Sequence, residues 1–183
     1  MPAYASLWRY EDVEAVQGRC NHARELGYNY IKLHEIFTPE VEAARNILGD
    51  DISIMVDTNC PWTKDQARQI LSKWEDFNLY WVEEPINPPE DFESLSNLRS
   101  ESLIPIAAGE NACTSFEFKK MFEYEAVDYA QPSVTKVGGI TEFKKIISVA
   151  ETFGVQVMPH SPYFGPGFLA TLHLSQSVPN SGL

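Results

Sequence analysis

A strand-like segment followed by a helix-like segment recurs about every 25 residues along the chain. Seven apolar segments have the length and composition of buried strands, at 3–8, 28–34, 52–57, 79–83, 104–110, 127–133 and 155–160. Parallel strands need long crossover connections, which are usually helices. The alternation therefore predicts repeated βαβ units and a parallel sheet.

The segments between the strands carry helical periodicity and helix boundary signals. Apolar residues recur at helical spacing in two sets, namely Ala67, Ile70, Leu71 and Trp74, and Phe143, Ile146, Ile147 and Ala150. Gly154 after the second set predicts the carboxyl end of that helix. Thr38 followed by Pro39 predicts the N-cap and the first position of another helix.

Two architectures fit this pattern, an open doubly wound sheet and a closed (β/α) barrel. No glycine-rich phosphate loop follows the first strand, which weakens the dinucleotide-binding version of the open sheet. Polar residues cluster where most of the strands end, and a barrel gathers those ends around one mouth. We therefore predict one domain over residues 1–183, an incomplete TIM-type barrel of about seven βα units. A complete barrel has eight strands, whereas residues 167–183 predict a helix followed by a loop.

The composition limits the classes of partner. A net charge of −12 argues against nucleic acid or an anionic membrane surface as the partner. No apolar segment approaches the roughly 18 residues that span a bilayer, and the N-terminus has no basic leader or apolar signal region. Cys20, Cys60 and Cys113 lie far apart, which is typical of reduced thiols in a cytoplasmic protein.

Three consecutive strand-like segments end in a carboxylate. Asp57 and Glu83 are 26 residues apart, and Glu83 and Glu110 are 27 residues apart. Three carboxylates that meet at one mouth raise one another's pKa unless a cation lies between them, and oxygen ligands in this number suit Mg²⁺. Glu84 is the alternative to Glu83, because adjacent strand residues point to opposite faces and the alternation does not decide between them.

Proton-transfer groups accompany the acidic residues. Lys32 and His34 share one face of the second strand, and His160 ends the seventh. In a closed barrel the second and seventh strands lie roughly opposite each other. A metal ion between two such groups suits removal of the proton next to a carboxylate, with the metal stabilising the enediolate.

The motifs as a set resemble the barrel domain of the enolase superfamily, in the mandelate racemase/muconate lactonizing enzyme group. They are "IKLH", "MVDTN", "WVEEP", "AAGEN", "TKVGGIT" and "PHSPYFGPG". The resemblance implies Mg²⁺ ligands at Asp57, Glu83 and Glu110, and so selects Glu83 over Glu84. It implies catalytic groups at Lys32, His34 and His160, and substrate-binding residues at Asn59, Asn111 and Ser133.

The sequence departs from the family pattern at four points. His34 replaces the second lysine of the usual KxK pair, and Ser133 replaces an aspartate that pairs with the histidine in racemases and most acid-sugar dehydratases. A serine orients an imidazole without stabilising its charged form, so His160 is expected to be a weaker base. The N-terminal capping domain and the eighth strand of the family are also missing, and unpaired strand edges favour a homo-oligomer or a partner that fills the gap.

The function that we predict is Mg²⁺-dependent dehydration of a sugar acid, in carbohydrate acid catabolism. A racemase, epimerase or cycloisomerase would share the enediolate intermediate. The alternative from another class is an inactive barrel remnant that folds and binds metal. Lys32 is also expected to have a pKa lowered toward neutrality by burial and by the cation.

Overall fold

The computed structural model describes residues 3–177. These residues contain seven strands, β1 (Ala5–Ser6), β2 (Tyr30–Leu33), β3 (Ser53–Asp57), β4 (Leu79–Glu83), β5 (Ile106–Ala108), β6 (Tyr129–Ala130) and β7 (Gln156–Val157). Seven helices follow the strands in turn, α1 (Val13–Glu25), α2 (Thr38–Leu48), α3 (Lys64–Trp74), α4 (Phe92–Glu101), α5 (Ser115–Glu123), α6 (Ile140–Phe153) and α7 (Pro166–Ser177). A 3₁₀ turn at Glu75–Phe77 follows α3. The chain divides into two compact units, which we describe separately.

The N-terminal unit comprises residues 3–88 and 98–105 and contains β1 to β4. Its strands pair in parallel and in sequence order. The register pairs Lys32 with Met55 and Asp57 with Glu83, so that the carboxyl ends of β3 and β4 lie side by side. Ile31, Ile54, Val56 and Val82 are fully buried, as expected for strands covered on both faces.

The C-terminal unit comprises residues 89–97 and the residues from 106 onward, and it contains β5 to β7. These strands also pair in parallel, Ala108 with Ala130 and Ala130 with Val157. The predicted apolar set of α6 is buried, and the helix ends at Gly154 in the left-handed conformation, which confirms both sequence signals. Within residues 3–177 no helix is long and apolar enough to span a membrane.

The local helix signals are confirmed in most cases. Thr63 forms a capping box with Gln66 at the start of α3, and three of the four predicted apolar residues of that helix are buried. The N-cap prediction for Thr38 is wrong by one residue, because Phe37 is the N-cap and Thr38 is already helical. The Thr38 hydroxyl instead accepts a hydrogen bond from the Trp74 indole at 3.0 Å.

The predicted fold class is confirmed, an incomplete TIM-type barrel of alternating parallel strands and helices. The strands are shorter than predicted, above all β1, β6 and β7 with two residues each. Hydrogen bonds continue beyond the regular ladder, from Met158 N to Ala130 O at 2.8 Å and from His160 N to Pro132 O at 3.2 Å. The predicted helix of the tail is α7, no eighth strand occurs within residues 3–177, and the predicted final loop lies in residues 178–183, outside that range.

Candidate active site

In the N-terminal unit, one lysine joins two carboxylates. The Lys32 ammonium lies 3.0 Å from Asp57 Oδ2 and 3.0 Å from Glu83 Oε1. These three side chains are almost completely buried, with at most 4% of any of them exposed. The parallel register produces this arrangement, because it places the ends of β2, β3 and β4 next to one another. The structure thus brings together three residues that the sequence analysis selected separately.

His34 joins the same cluster from the end of β2. Its Nε2 lies 3.3 Å from Asp57 Oδ2, and its Nδ1 lies within hydrogen-bonding distance of the Leu7 carbonyl. The carbonyl and the carboxylate both only accept hydrogen bonds, so each ring nitrogen of His34 faces an acceptor. The contact of both Lys32 and His34 with Asp57 agrees with their predicted placement on one face of the strand.

Arg9 is a polar residue of this unit that the sequence analysis missed. Its guanidinium donates hydrogen bonds to the His34 carbonyl at 2.6 Å and to the Thr58 carbonyl at 3.0 Å. The buried Glu35 accepts hydrogen bonds from the backbone of Tyr10 and Glu11. The segment after β1 is therefore held by hydrogen bonds to the residues that follow β2 and β3. No motif identifies Arg9, because its bonds are to backbone carbonyls and carry no sequence signature.

The two adjacent glutamates have different surroundings. The Glu83 carboxylate contacts Lys32 and accepts a hydrogen bond from the Trp81 indole at 3.1 Å. The Glu84 carboxylate lies 3.4 Å from Cys60 Sγ, and Glu84 has a positive φ of 48°. The choice of Glu83 as the residue that joins the acidic cluster thus agrees with the geometry. Trp81 was not predicted as a site residue, although its i, i+2 spacing to Glu83 placed both on one face.

Asn59 lies beside Asp57 in the structure. Its backbone N–H and its side-chain amide donate to Asp57 Oδ1 at 3.1 and 2.9 Å. Asn59 is exposed and has a positive φ of 56°, a conformation that asparagine tolerates better than most residues. The amide therefore fixes the orientation of the Asp57 carboxylate, and this contact was not part of the sequence prediction for Asn59.

The charges of this cluster shift one another's protonation. Burial by itself lowers the pKa of Lys32, but electrostatic interaction with the Glu83 carboxylate, Tyr4 and the Asp57 carboxylate outweighs it and holds that pKa above its ordinary value. Burial likewise raises the pKa of Asp57, but hydrogen bonding to His34 and the charge of Lys32 hold it well below its ordinary value. Burial therefore does not lower the Lys32 pKa as expected, because two carboxylates in direct contact outweigh it. The lowering expected from a bound cation stays a prediction.

The C-terminal unit holds a second cluster, in which His160 links a hydroxyl and a carboxylate. Ser133 Oγ lies 2.7 Å from His160 Nδ1, and His160 Nε2 lies 2.7 Å from Glu110 Oε2. Ser133 is fully buried, whereas the side chains of His160 and Glu110 are 11% and 14% exposed. Asn111, the next residue after Glu110, is exposed.

Two local features position these side chains. Gly109 has a φ of +128°, and a Cβ at this position would lie 2.7 Å from the Phe118 ring, so glycine is required immediately before Glu110. His160 is held at the end of β7 by the hydrogen bond from its backbone N–H to the Pro132 carbonyl. The close approach of adjacent strand ends therefore brings Ser133 and His160 together.

The donor set of the N-terminal unit fits a hard divalent cation. Asp57 and Glu83 each present a carboxylate oxygen to one positive group, since Lys32 Nζ lies 3.0 Å from both. Carboxylate oxygens are the ligands that Mg²⁺ prefers. Zn²⁺ is a poorer match for this pair of carboxylates, because structural zinc sites are built mainly from cysteine and histidine.

Parallel βα units with acidic and basic side chains where the strands end are the arrangement of barrel enzymes. The chain belongs to the enolase C-terminal domain-like family, whose sequence model matches residues 15–183. This result confirms the resemblance stated from the motifs.

Several relatives are similar to this chain over most of its length. L-talarate/galactarate dehydratase of Salmonella typhimurium is 36% identical over 75% of this chain and 33% of its own length. The structure of 3,6-anhydro-D-galactonate cycloisomerase from Zobellia galactanivorans superposes with a TM-score of 0.90 at 30% identity, covering 95% of this chain and 50% of that one. L-talarate dehydratase from Polaromonas, solved with Mg and L-glucarate, has a TM-score of 0.84 at 28% identity, covering 99% of this chain and 50% of that one. The chain thus spans between a third and half of the length of these relatives.

Proposed function

We propose that this chain supplies the catalytic barrel residues of a Mg²⁺-dependent enzyme that removes the proton next to a carboxylate, and that its reaction is the dehydration of a sugar acid. The observation that carries the proposal is the contact of Lys32 with both Asp57 and Glu83. It places an amine, a candidate base, against the two carboxylates that would hold the cation. The dehydratases among the relatives support the reaction class and an acid-sugar substrate.

Asp57, Glu83 and Glu110 would hold the cation. The first two converge in the N-terminal unit, and Glu110 is proposed from its motif and from its place directly after β5. A bound Mg²⁺ would supply positive charge to the substrate carboxylate and stabilise the charge that develops on it when the proton is removed.

Lys32 and His34 would form the basic side of the site. A substrate α-proton is removed by a group with an available lone pair, and the carboxylates that raise the Lys32 pKa oppose this role. A divalent cation bound to the same carboxylates offsets their charge and relieves that opposition. Asn59 is proposed to act through Asp57, which it contacts, as well as by binding substrate.

His160 would serve the opposite step, proton donation to the departing hydroxyl. Its Nε2 faces the Glu110 carboxylate, which only accepts, so the neutral ring carries its proton on Nε2. Ser133 then donates to Nδ1 and fixes the ring orientation. Unlike an aspartate, which only accepts, the serine hydroxyl both donates and accepts, so it can bond to Nδ1 in either protonation state of the ring. Ser133 and Asn111 would in addition contact substrate.

A cycloisomerase is the second candidate reaction, because the structure of a 3,6-anhydro-D-galactonate cycloisomerase superposes on this chain with a TM-score of 0.90. It begins with the same proton removal, so the residue roles are unchanged. The cytoplasmic location and the homo-oligomer stay predictions from the sequence.

The reaction class is tested by screening acid sugars with Mg²⁺. The chain should be assayed alone and grafted in place of the corresponding segment of the Salmonella dehydratase, which it resembles at 36% identity. Keto-acid product marks dehydration, and a change in optical rotation without dehydration marks a racemase or epimerase. A folded graft that binds Mg²⁺ and converts no acid sugar would contradict the proposal and favour the inactive barrel remnant.

The metal site is tested by thermal unfolding with and without Mg²⁺. A ligand bound only by the folded chain stabilises it by about 2.7 kcal/mol at a hundredfold excess over its dissociation constant. Glu83→Gln should abolish this gain. Glu84→Gln is the matched control, because Glu84 is adjacent and also buried, and it should keep most of the gain. Equal loss in both variants, or no gain in the parent chain, would refute the assignment.

A further inference from the structure

The two carboxylates that contact Lys32 are held in the same way. In each, one oxygen contacts Lys32 and the other accepts a hydrogen bond from a neutral N–H group. For Asp57 that group is Asn59, and for Glu83 it is the Trp81 indole, at 3.1 Å. Asn59 belongs to a loop, whereas Trp81 is a strand residue with no exposed surface.

An indole N–H has properties that suit this position. It donates one hydrogen bond and never accepts one, and it does not titrate. It therefore cannot bind a cation itself and takes no part in proton transfer. The large ring of Trp81 is fixed by its packing in β4, and the N–H direction is therefore fixed as well. A hydrogen bond to a carboxylate is also stronger than one between neutral groups.

We propose that Trp81 is a positioning residue for the metal ligand Glu83. By holding Oε2, the indole sets the rotation of the carboxylate and so orients Oε1, the oxygen that contacts Lys32 and that would be available to a cation. This inference rests on the proposed metal site. Groups that orient metal ligands in this way are typically worth about 10- to 100-fold in metal affinity.

Mg²⁺ affinity in two tryptophan variants separates positioning from packing. Trp74 is the matched control, because it is equally buried and its indole donates to the Thr38 hydroxyl at 3.0 Å. Trp81→Phe should weaken Mg²⁺ binding by about tenfold or more, measured by calorimetric titration. Trp74→Phe should change it less than about twofold. Equal weakening in both variants would overturn the inference, since lost packing would then explain it.

The indole signals in ¹H–¹⁵N NMR give a second readout that does not need Trp81→Phe to fold. The chain has four tryptophans, and phenylalanine variants at positions 8, 62 and 74 assign the Trp81 signal by elimination. Added Mg²⁺ should shift the Trp81 signal more than that of Trp74. If Mg²⁺ stabilises the chain through Glu83 but leaves the Trp81 signal and the Trp81→Phe affinity unchanged, the inference fails while the proposed function stands. If the parent chain binds no Mg²⁺, both fail.

Discussion

The two polar clusters differ in how they hold charge. In the N-terminal unit a buried ammonium is shared by two buried carboxylates, and each carboxylate has a further N–H donor. In the C-terminal unit a partly exposed imidazole stands in a linear chain between a hydroxyl and a carboxylate. The first arrangement brings two buried carboxylates together around one positive group, which suits binding of a cation. The second holds a partly exposed ring between two polar partners, which is compatible with the proton donation proposed for His160.

The largest expected effect separates the clusters by the step each serves. In the grafted enzyme, Lys32→Ala should abolish solvent-deuterium exchange at the substrate α-carbon and net turnover together, a loss of about 10²–10⁴-fold. His160→Asn should retain exchange while losing net turnover. Exchange is followed by NMR or mass spectrometry in D₂O. Loss of exchange in His160→Asn with retention in Lys32→Ala would reverse the two roles.

Stability gives the next largest contrast. Lys32→Met keeps the apolar stem but leaves two buried carboxylates without the ammonium group that contacts both. This should lower the free energy of unfolding, measured in urea, by about 3–5 kcal/mol. Lys145→Met is the control, because Lys145 pairs with Glu142 while 61% exposed, and should cost at most about 1 kcal/mol.

A double variant makes the same contrast informative even if Lys32→Met fails to fold. Adding Glu83→Gln to Lys32→Met removes one of the two uncompensated charges and should recover part of the lost stability. Similar losses for Lys32→Met and Lys145→Met would show that the buried cluster contributes no more to the free energy of unfolding than an ion pair on the surface.

The sequence predicted the site to the extent that strand polarity determines it. Parallel strands end at one edge, so Asp57 and Glu83 were expected together, and the period of two placed Lys32 with His34. The bonds from Arg9 to carbonyls were not predictable, because backbone acceptors are the same at every residue. The direction of the Lys32 pKa shift also depends on distances across strands, which neither spacing nor composition contains.

The same limit applies to the helix ends. Thr38 followed by Pro39 has the composition of an N-cap and first helical residue, yet the cap lies at Phe37. The Thr38 hydroxyl is instead the acceptor for Trp74, a residue on the next helix. Local rules identified that α2 begins here and missed its first residue by one, and the Thr38 hydroxyl makes a tertiary contact instead of capping the helix.

The smallest expected effect concerns the contact between hydroxyl and imidazole in the C-terminal cluster. Ser133 is fully buried and its Oγ lies 2.7 Å from His160 Nδ1. Ser133→Ala removes one hydrogen bond to the imidazole, so it should cost about 1 kcal/mol in urea unfolding. The exposed Ser148→Ala, which removes the same atom from α6, should stay within about 0.5 kcal/mol of the parent. In the grafted enzyme Ser133→Ala should slow net turnover less than His160→Asn does, because the ring remains and only its orientation is loosened. A stability loss as large as that of Lys32→Met would mean that the serine satisfies a charged partner, and the two clusters would then not differ in the way proposed.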